Sequence, residues 1–107
     1  MINAKKEFLD EVKGLRVRCA EVFIGFQPWP EEEDLRPVYR LKENYTSSDY
    51  EAFLDSLDFE YDDGFGSQEL FGTIWYVGGT WSDRREYDGS EWWKHQKRPK
   101  IPKELKK

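Results

Sequence analysis

Residues 58–69 come nearest, of all stretches in this sequence, to a site for chemistry. Oxygen-bearing side chains stand at positions 1, 3, 5 and 12 of these twelve residues, the spacing at which an EF-hand loop binds calcium. Position 6, which needs glycine for the sharp turn, is Asp63, and position 3 is the long Glu60. After Glu69 the sequence predicts a strand, whereas an EF-hand continues into a helix. We therefore expect an acidic surface turn that binds no metal.

One histidine and one cysteine limit the catalytic and metal sites that the chain can build. His95 lies in a basic tail, so no histidine-based dyad, triad or multi-histidine metal site can form. Cys19 excludes an internal disulfide, and we expect it to be buried as a small apolar residue. Asp62 and Asp63 could act as acid and base, but such catalysis needs rigid walls and glycines surround these residues. We predict no enzyme activity and no cofactor.

Tryptophan is more abundant than one small core needs, with five among 107 residues. Trp29 lies in a proline-rich acidic segment, Trp75 in a predicted strand, and Trp92 directly precedes Trp93. Neighbouring residues of an extended chain face opposite ways, so we expect one of the adjacent pair to be buried and the other to be partly exposed. Because Trp is enriched where interfaces make their strongest contacts, the surplus predicts a binding surface.

Charge divides the chain into two parts. Residues 1–93 carry ten basic and 21 acidic side chains, and residues 94–107 carry seven basic side chains against Glu104. We expect one acidic domain over 1–93 and a basic, proline-containing tail over 94–107. A negative field repels nucleic-acid phosphate and attracts basic protein surfaces.

Acidic and aromatic side chains together predict a non-enzymatic module that binds a protein with a basic surface, whose identity the sequence does not reveal. Acids in clusters can mimic the phosphate spacing that such a surface recognises. The predicted contact residues are Trp29, Glu31, Glu32, Glu33, Asp34, Asp58, Glu60, Asp62, Asp63, Trp75, Trp92 and Trp93.

A nucleic-acid-binding accessory protein is the alternative from another class. It would stack bases on Trp92 and Trp93 and bind phosphate through the basic tail. The tail residues concerned are Lys94, Lys97, Arg98, Lys100 and Lys103. The acidic charge of residues 1–93 argues against this alternative.

Two helices are predicted to position these residues. The first covers residues 4–13 and ends at Gly14, where a left-handed cap belongs. The second begins at residues 48–51, whose Ser and Glu match a capping box. Their apolar stripes are Phe8, Leu9 and Val12 in the first helix and Tyr50, Phe53, Leu54 and Leu57 in the second.

The first predicted hairpin joins strands at residues 15–24 and 37–42. Apolar and polar residues alternate along the first strand, as they do when one face is buried. Glu21 breaks this alternation and would point into the core unless a bulge intervenes. The proline-rich acidic segment between the strands would form the tip of the hairpin.

The second predicted hairpin joins residues 70–77 and 80–87 through a two-residue turn at Gly78 and Gly79. A turn of that length places Tyr76 opposite Trp81. The face expected in the core carries Leu70, Ile74, Tyr76, Trp81 and Tyr87, and the opposite face carries Phe71, Thr73 and Trp75.

These elements predict the α+β class: a two-layer sandwich in which a four-stranded antiparallel sheet packs two helices on one face. The chain order would be α-β-β-α-β-β. Leaving Phe71 and Trp75 exposed to solvent on the other face would cost free energy. We expect the C-terminal segment to cover them as an extended strap, with a second copy or a partner as the alternatives.

No apolar run is long enough to cross a membrane. The longest, residues 20–26, is interrupted by Glu21 and Gly25 and falls far short of the ~20 residues required. The N-terminus has no apolar signal core. We expect no membrane association and a location in the cytoplasm of a bacterial host.

The C-terminal half resembles small uncharacterised proteins encoded by phages and prophages. The likeness is carried by residues 71–75, 79–82, 86–93 and 101–102, and more loosely by 50–64. That group has no established activity, cofactor or catalytic residue, so the resemblance implies only an origin in a phage or mobile element. It favours a small inhibitor or a binder that modulates a host protein.

Overall fold

A computed structural model describes residues 2–25, 38–61, 68–87, 90–98 and 103–105 of the chain. Two helices, seven strands and one 3₁₀ helix lie within these residues. In chain order they are β1 (Ile2–Asn3), α1 (Ala4–Val12), β2 (Val17–Ile24), β3 (Val38–Leu41), α2 (Ser47–Ser56), β4 (Glu60–Tyr61), β5 (Leu70–Tyr76), β6 (Trp81–Tyr87), β7 (Ser90–Gln96) and the 3₁₀ helix (Lys103–Leu105).

Five of the strands form one antiparallel sheet in the order β3-β2-β5-β6-β7. Strands β1 and β4 form a separate antiparallel pair. The α+β class and both predicted hairpins are confirmed. The prediction of four strands is wrong, because the segment expected to be a strap is a fifth strand. Every residue of β7 is in register with β6, which satisfies backbone groups that a strap would leave unpaired.

Helix α1 begins where the side chain of Asn3 accepts a hydrogen bond of 2.9 Å from the backbone N–H of Lys6. Helix α2 begins with a capping box, but the predicted position of that box is wrong by two residues. Thr46 and Asp49 form it, each side chain accepting from the other residue's backbone N–H. A carboxylate three residues after a threonine closes the box, so α2 begins two residues earlier than Glu51 indicates.

A bulge in β2 explains the broken alternation. The register with β5 shifts between Val17 and Cys19, so that one extra residue of β2 is accommodated there. Beyond the bulge, Ala20 and Val22 face the core and Glu21 faces away from it. The predicted need for a bulge is confirmed.

The second hairpin turns through three residues and not through two. The backbone N–H of Tyr76 donates to the carbonyl of Thr80 at 3.0 Å, which leaves Val77, Gly78 and Gly79 in the loop. Trp75 therefore lies opposite Trp81. A shift of one residue in register sends every side chain of the shifted strand to the other face of the sheet.

Strand β6 therefore faces the core with different residues from those predicted. Ser82 and Arg84 are buried, at 0% and 8% exposure, whereas Tyr87 is 75% exposed. The placement of Trp81 and Tyr87 in the core is wrong. The placement of Leu70, Ile74 and Tyr76 is confirmed, because they lie on β5, which the loop length does not affect.

Both helices pack on the same face of the large sheet. The ring of Phe8 in α1 meets the ring of Phe53 in α2 edge to face, with centroids 5.4 Å apart, and meets Trp93 of β7 at 6.4 Å. Trp93 is 7% exposed and its neighbour Trp92 is 40% exposed, which confirms that one of the pair is buried. The residues of this core are Ala4, Phe8, Val12, Val17, Ala20, Val22, Leu41, Phe53, Leu57, Tyr61, Leu70, Ile74, Tyr76 and Trp93.

Candidate functional site: the open face of the sheet

The open face is the side of the five-stranded sheet opposite the two helices. Alternation along each strand places its residues there, because successive side chains point to opposite sides. The open face consists of Cys19, Glu21, Phe23, Val38, Arg40, Phe71, Thr73, Trp75, Trp81, Asp83, Arg85, Tyr87, Ser90, Trp92, Lys94 and Gln96.

Aromatic rings run across the middle of the open face. Phe23 and Phe71 stack with centroids 5.5 Å apart, and Trp75 lies opposite Trp81 on the neighbouring strand. Trp75 is 42% exposed, and Trp92 on the edge strand is 40% exposed. A groove of about 780 Å³ runs beside Phe23, Phe71 and Trp75. Trp side chains this exposed on one face of a small domain are typical of a binding surface.

The charges of the open face are paired within it. Arg40 Nε donates to Glu21 Oε1 at 2.9 Å, and Arg85 Nε donates to Asp83 Oδ1 at 2.9 Å. Lys94 lies opposite Asp83 in the register of β6 with β7. Because each arginine already has a carboxylate, the face has little positive charge to offer to phosphate.

Cys19 lies on the open face beside Trp75 and not in the core, so its predicted burial is wrong. It is partly exposed, because the bulge in β2 turns it outward. Partial burial raises the pKa of its thiol, and the nearby Glu43 raises it further while Arg18 lowers it. A thiol with a raised pKa is a poor nucleophile at neutral pH.

The acidic side chains gather elsewhere. Residues 43–83 contain ten acidic residues and no lysine, arginine or histidine. The exposed ones on and just after α2 are Asp49, Glu51, Asp55, Asp58 and Glu60. These exposed acids lie on and just after α2, apart from the aromatic residues of the open face.

A buried ion pair fills the gap where β5 and β6 separate. These strands pair only from Thr73 to Trp75, which leaves the backbone of Leu70 without a strand partner on that side. The Glu91 carboxylate accepts from the backbone N–H of Leu70 at 2.9 Å, and Arg84 donates to the carbonyl of Leu70 at 3.4 Å. Arg84 and Glu91 also bond to each other at 2.9 Å. Their side chains therefore replace the missing backbone ladder.

Other polar groups complete the surroundings of Arg84. Its Nη1 lies 2.9 Å from Glu7 Oε1 without hydrogen-bond geometry, and its Nη2 donates to the Tyr61 hydroxyl at 2.8 Å. The guanidinium also lies 5.2 Å from the centroid of the Trp93 ring. Burial lowers the pKa of Arg84, but the carboxylate of Glu7 and the other partners outweigh it, so the net shift is upward.

Tyr61 connects this ion pair to α1. Its hydroxyl donates to Glu7 Oε1 at 2.5 Å. Burial raises its pKa above the ordinary value of 10.0, and the hydrogen bond to Glu7 adds to the rise. A parallel link joins Tyr76, Ser82 and Glu11, with oxygens 2.7 Å and 2.6 Å apart. These groups bond to one another inside the domain, an arrangement typical of a structural network.

The structure brings some of the predicted contact residues together and separates others. Trp75 and Trp92 share the open face, whereas Trp93 is in the core. Asp58 accepts from the Asn3 side chain at 2.9 Å, and Glu60 lies in β4, both away from the open face. The remaining predicted contacts lie outside the described residues: Trp29, Glu31, Glu32, Glu33, Asp34, Asp62 and Asp63.

The open face includes residues that were not predicted there from the sequence, among them Trp81, Arg85 and Phe23. Trp81 and Arg85 exchange sides with their neighbours because of the three-residue loop. Phe23 follows the bulge, which reverses the expected side. The break in alternation at Glu21 was the signal for Phe23; the sequence contains no comparable signal for the loop length.

Within the described part of the chain, no group of three or more His, Cys, Asp or Glu side chains could hold a metal ion. The helices found there are all too short and too polar to span a bilayer. Comparisons with protein-family models, with curated proteins and with solved structures found no match. The case for function therefore rests on the open face and the charge distribution.

Proposed function

We propose that this chain is a non-enzymatic binding module whose open face contacts a protein with a basic surface. The observation that carries the proposal is the row of aromatic side chains on the open face, with Trp75 and Trp92 both about two-fifths exposed. The likeness to phage and prophage proteins supports a host protein as the partner and the bacterial cytoplasm as the location.

The composition of the open face supports a protein partner. Tryptophan, phenylalanine and arginine are enriched at the centres of protein interfaces, and lysine and glutamate are depleted there. The face has three tryptophans, two phenylalanines and two arginines against one lysine and one glutamate. Its arginines are held by carboxylates, so they offer shaped hydrogen-bonding groups without a net positive field.

The charge of the whole chain supports a basic partner. The net charge is −5, and residues 43–83 lack any basic side chain. Charge of this sign accelerates encounter with a positive surface even where the contact itself is neutral. In the proposal, the acidic side chains raise the association rate and the aromatic face supplies the affinity.

Quantitative capture from a bacterial lysate, comparing wild type with Trp75→Ala, tests the proposal. A captured protein is then purified, and its affinity is measured by calorimetry. Loss of a Trp contact at an interface centre costs 2 kcal/mol or more, so we expect the variant to bind about thirtyfold more weakly. The melting temperature should stay the same, because Trp75 lies outside the core.

A matched control distinguishes long-range electrostatic attraction of the partner from direct contact with it. Glu51→Lys with Asp55→Lys changes the charge of exposed residues of α2 and leaves the open face intact. It should slow association at low salt and leave the dissociation rate unchanged. A partner that binds wild type and Trp75→Ala equally well would show that the open face is not the contact surface. A partner without salt-dependent association would refute the basic surface.

Single-stranded nucleic acid is a second candidate partner, favoured by one observation. Strand β7 places Trp92 and Lys94 on the open face, and Lys97 and Arg98 continue beyond it toward the turn at Gly79. A basic strip with stacking rings is how such polymers are bound. The pairing of the arginines with acids argues against it.

Removing residues 97–107 distinguishes the two candidates. The cut preserves β7, which ends at Gln96, and takes away the basic residues beyond it. Nucleic-acid binding, measured by fluorescence anisotropy with labelled single strands, requires those residues and would be lost. Protein binding through the open face would be retained.

A further inference from the structure

Strand β7 forms one edge of the large sheet. It is the last strand in the sheet order, and among the described residues no strand pairs with its outer side. Its seven residues stay in unbroken register with β6 and contain no bulge and no proline. The other edge, β3, has only four residues. A long, regular edge is a template for pairing with another strand.

The hydrogen-bonding groups on the outer side of β7 can be assigned by alternation. In antiparallel strands, successive residues direct their N–H and C=O to opposite neighbours. Tyr76 bonds to Thr80, so Ile74 and its partner Ser82 face each other. Asp83 must then face β7, where it pairs with Lys94. The residues of β7 whose backbone groups point outward are Glu91, Trp93 and His95.

Trp93 is also the middle residue of β7, which runs from Ser90 to Gln96. Two copies of the strand related by a two-fold axis at Trp93 would pair over all seven residues. In such a pair, the outward-pointing backbone N–H and C=O of Trp93 bond to the same groups of Trp93 in the second copy. This pairing agrees with the alternation of hydrogen-bonding groups along antiparallel strands. Shifting the axis by one residue in either direction shortens the overlap from seven residue pairs to five, because two residues of each strand then extend beyond the other.

Side chains agree with this register. It places Glu91 opposite His95 of the second copy and Trp92 opposite Lys94 of the second copy. A lysine over a Trp ring is attractive, and no like charges face each other. A shift of the axis to Lys94 would instead place two lysines in contact.

We propose that β7 pairs with β7 of a second copy of this chain about a two-fold axis at Trp93. The product is a ten-stranded antiparallel sheet. With the axis perpendicular to the sheet, both open faces lie on the same side and form one continuous surface. This inference does not depend on the proposed function, because it concerns the strand edge and not the aromatic face.

Sedimentation velocity over a wide range of protein concentrations tests the pairing. The decisive variant is His95→Pro, which removes an N–H that points outward and leaves the bonds to β6 intact. Proline is tolerated at such edge positions, so the fold should persist. We expect the dimer to dissociate about tenfold more readily or to disappear, because the hydrogen bond from the His95 N–H to the Glu91 carbonyl of the other copy is lost on each side of the axis.

Lys94→Pro is the matched control, one residue away. Its N–H points toward β6, so Lys94→Pro should lower the melting temperature more than His95→Pro, which keeps the bonds to β6 and loses only the contact of the His95 ring with Tyr76. If wild type is a monomer at every concentration, the proposal is wrong. It is equally wrong if His95→Pro dimerises like wild type while Trp75→Ala does not, because the open face would then be the contact.

Cysteine cross-linking tests the register in a Cys19→Ser background. Trp92→Cys with Lys94→Cys places two sulfurs opposite each other across the axis, in a pair without backbone hydrogen bonds where side chains approach closely. Oxidation should give a covalent dimer on a non-reducing gel. Trp92→Cys with Gln96→Cys should cross-link only in a shifted register. A dimer from that control and none from the first pair would overturn the axis at Trp93.

Discussion

The two faces of the large sheet differ in the side chains that they bury. One face encloses charged residues, and the other leaves aromatic residues exposed. On the face that the helices cover, Arg84 and Glu91 are almost wholly buried. On the open face, Trp75 and Trp92 remain two-fifths exposed. The charges can be buried because each finds partners in the core, including the backbone of Leu70. The comparison shows that available partners, as well as hydrophobicity, decide which side chains this fold encloses.

Substituting two adjacent arginines, one on each face of the sheet, is the strongest test of that comparison. Arg84 and Arg85 both pair with an acid, but their side chains are 1% and 48% exposed. Arg84→Ala should lower the free energy of unfolding by about 3–5 kcal/mol, because Glu91 would be left buried without its cation. Arg85→Ala should cost no more than about 1 kcal/mol, as exposed pairs do. Urea unfolding followed by Trp fluorescence measures both.

If the two arginine variants had equal stability, the buried pair would contribute no more than a surface pair. The two faces would then differ in how deeply they bury charged side chains, but not in the stability that those side chains provide. If Arg84→Ala fails to fold, Glu91→Gln replaces it. The amide keeps its shape but loses the charge, and it should be less destabilising than loss of the arginine.

Gly72 should give the next largest effect. A Cβ at this position would lie 2.5 Å from the carbonyl oxygen of Glu21 and 3.1 Å from the ring of Trp93. Gly72→Ala should therefore cost about 1–3 kcal/mol of unfolding free energy, because the ring and the neighbouring strand must both move. Gly14→Ala meets no atom within 4 Å and has only the strain of a φ of +79°.

Both glycines have a positive φ, +158° at Gly72 and +79° at Gly14, so comparing the two variants by urea unfolding measures the added cost of the close contacts at Gly72. Gly14→Ala should cost about 1 kcal/mol, the usual penalty for a left-handed residue with a side chain. A larger loss at Gly14 than at Gly72 would contradict the close contact between β2, β5 and Trp93.

Alkaline pH should produce the smallest effect. The pKa of Tyr61 is raised in the folded protein, first by burial and then by its bond to Glu7. The stability this provides is fully present below the ordinary pKa of 10.0 and is lost as the pH rises through the folded value. Unfolding free energy should therefore fall as the pH rises above about 10.

Tyr61→Phe removes that titration and should make the alkaline decline shallower. Tyr50 and Tyr76 also have raised pKa values through burial, so part of the decline should remain. Urea titrations at several pH values compare the slopes of the variant and the wild type. Identical slopes would show that Tyr61 ionises equally easily in the folded and unfolded chain.

Local patterns predicted the elements of this fold well. The spacing of Phe8 and Val12 predicted α1, and the alternation around Val17 predicted β2 with its bulge. These signals depend on residues close together in the chain. The fifth strand was missed because its pairing depends on β6 being beside it, and because the basic tail was expected to begin at residue 94, within that strand.

The candidate site was predicted only in part, for a related reason. Trp75 was expected on the open face because it alternates with Ile74, whose apolar side chain belongs in the core. Trp81 was placed on the wrong side because glycines at positions 78 and 79 suit a two-residue or a three-residue loop. One residue of loop length reverses every side chain of β6.

The sequence by itself determined the α+β class, the two amphipathic helices and the two hairpins. Each of these follows from residue types within about ten positions of one another. The tertiary structure alone decided that β7 joins the sheet, that Arg84 and Glu91 are buried, and that Trp81 and Arg85 face outward. Those outcomes depend on strand register and on partners distant in the chain, and a buried charge is stable only where such partners meet it.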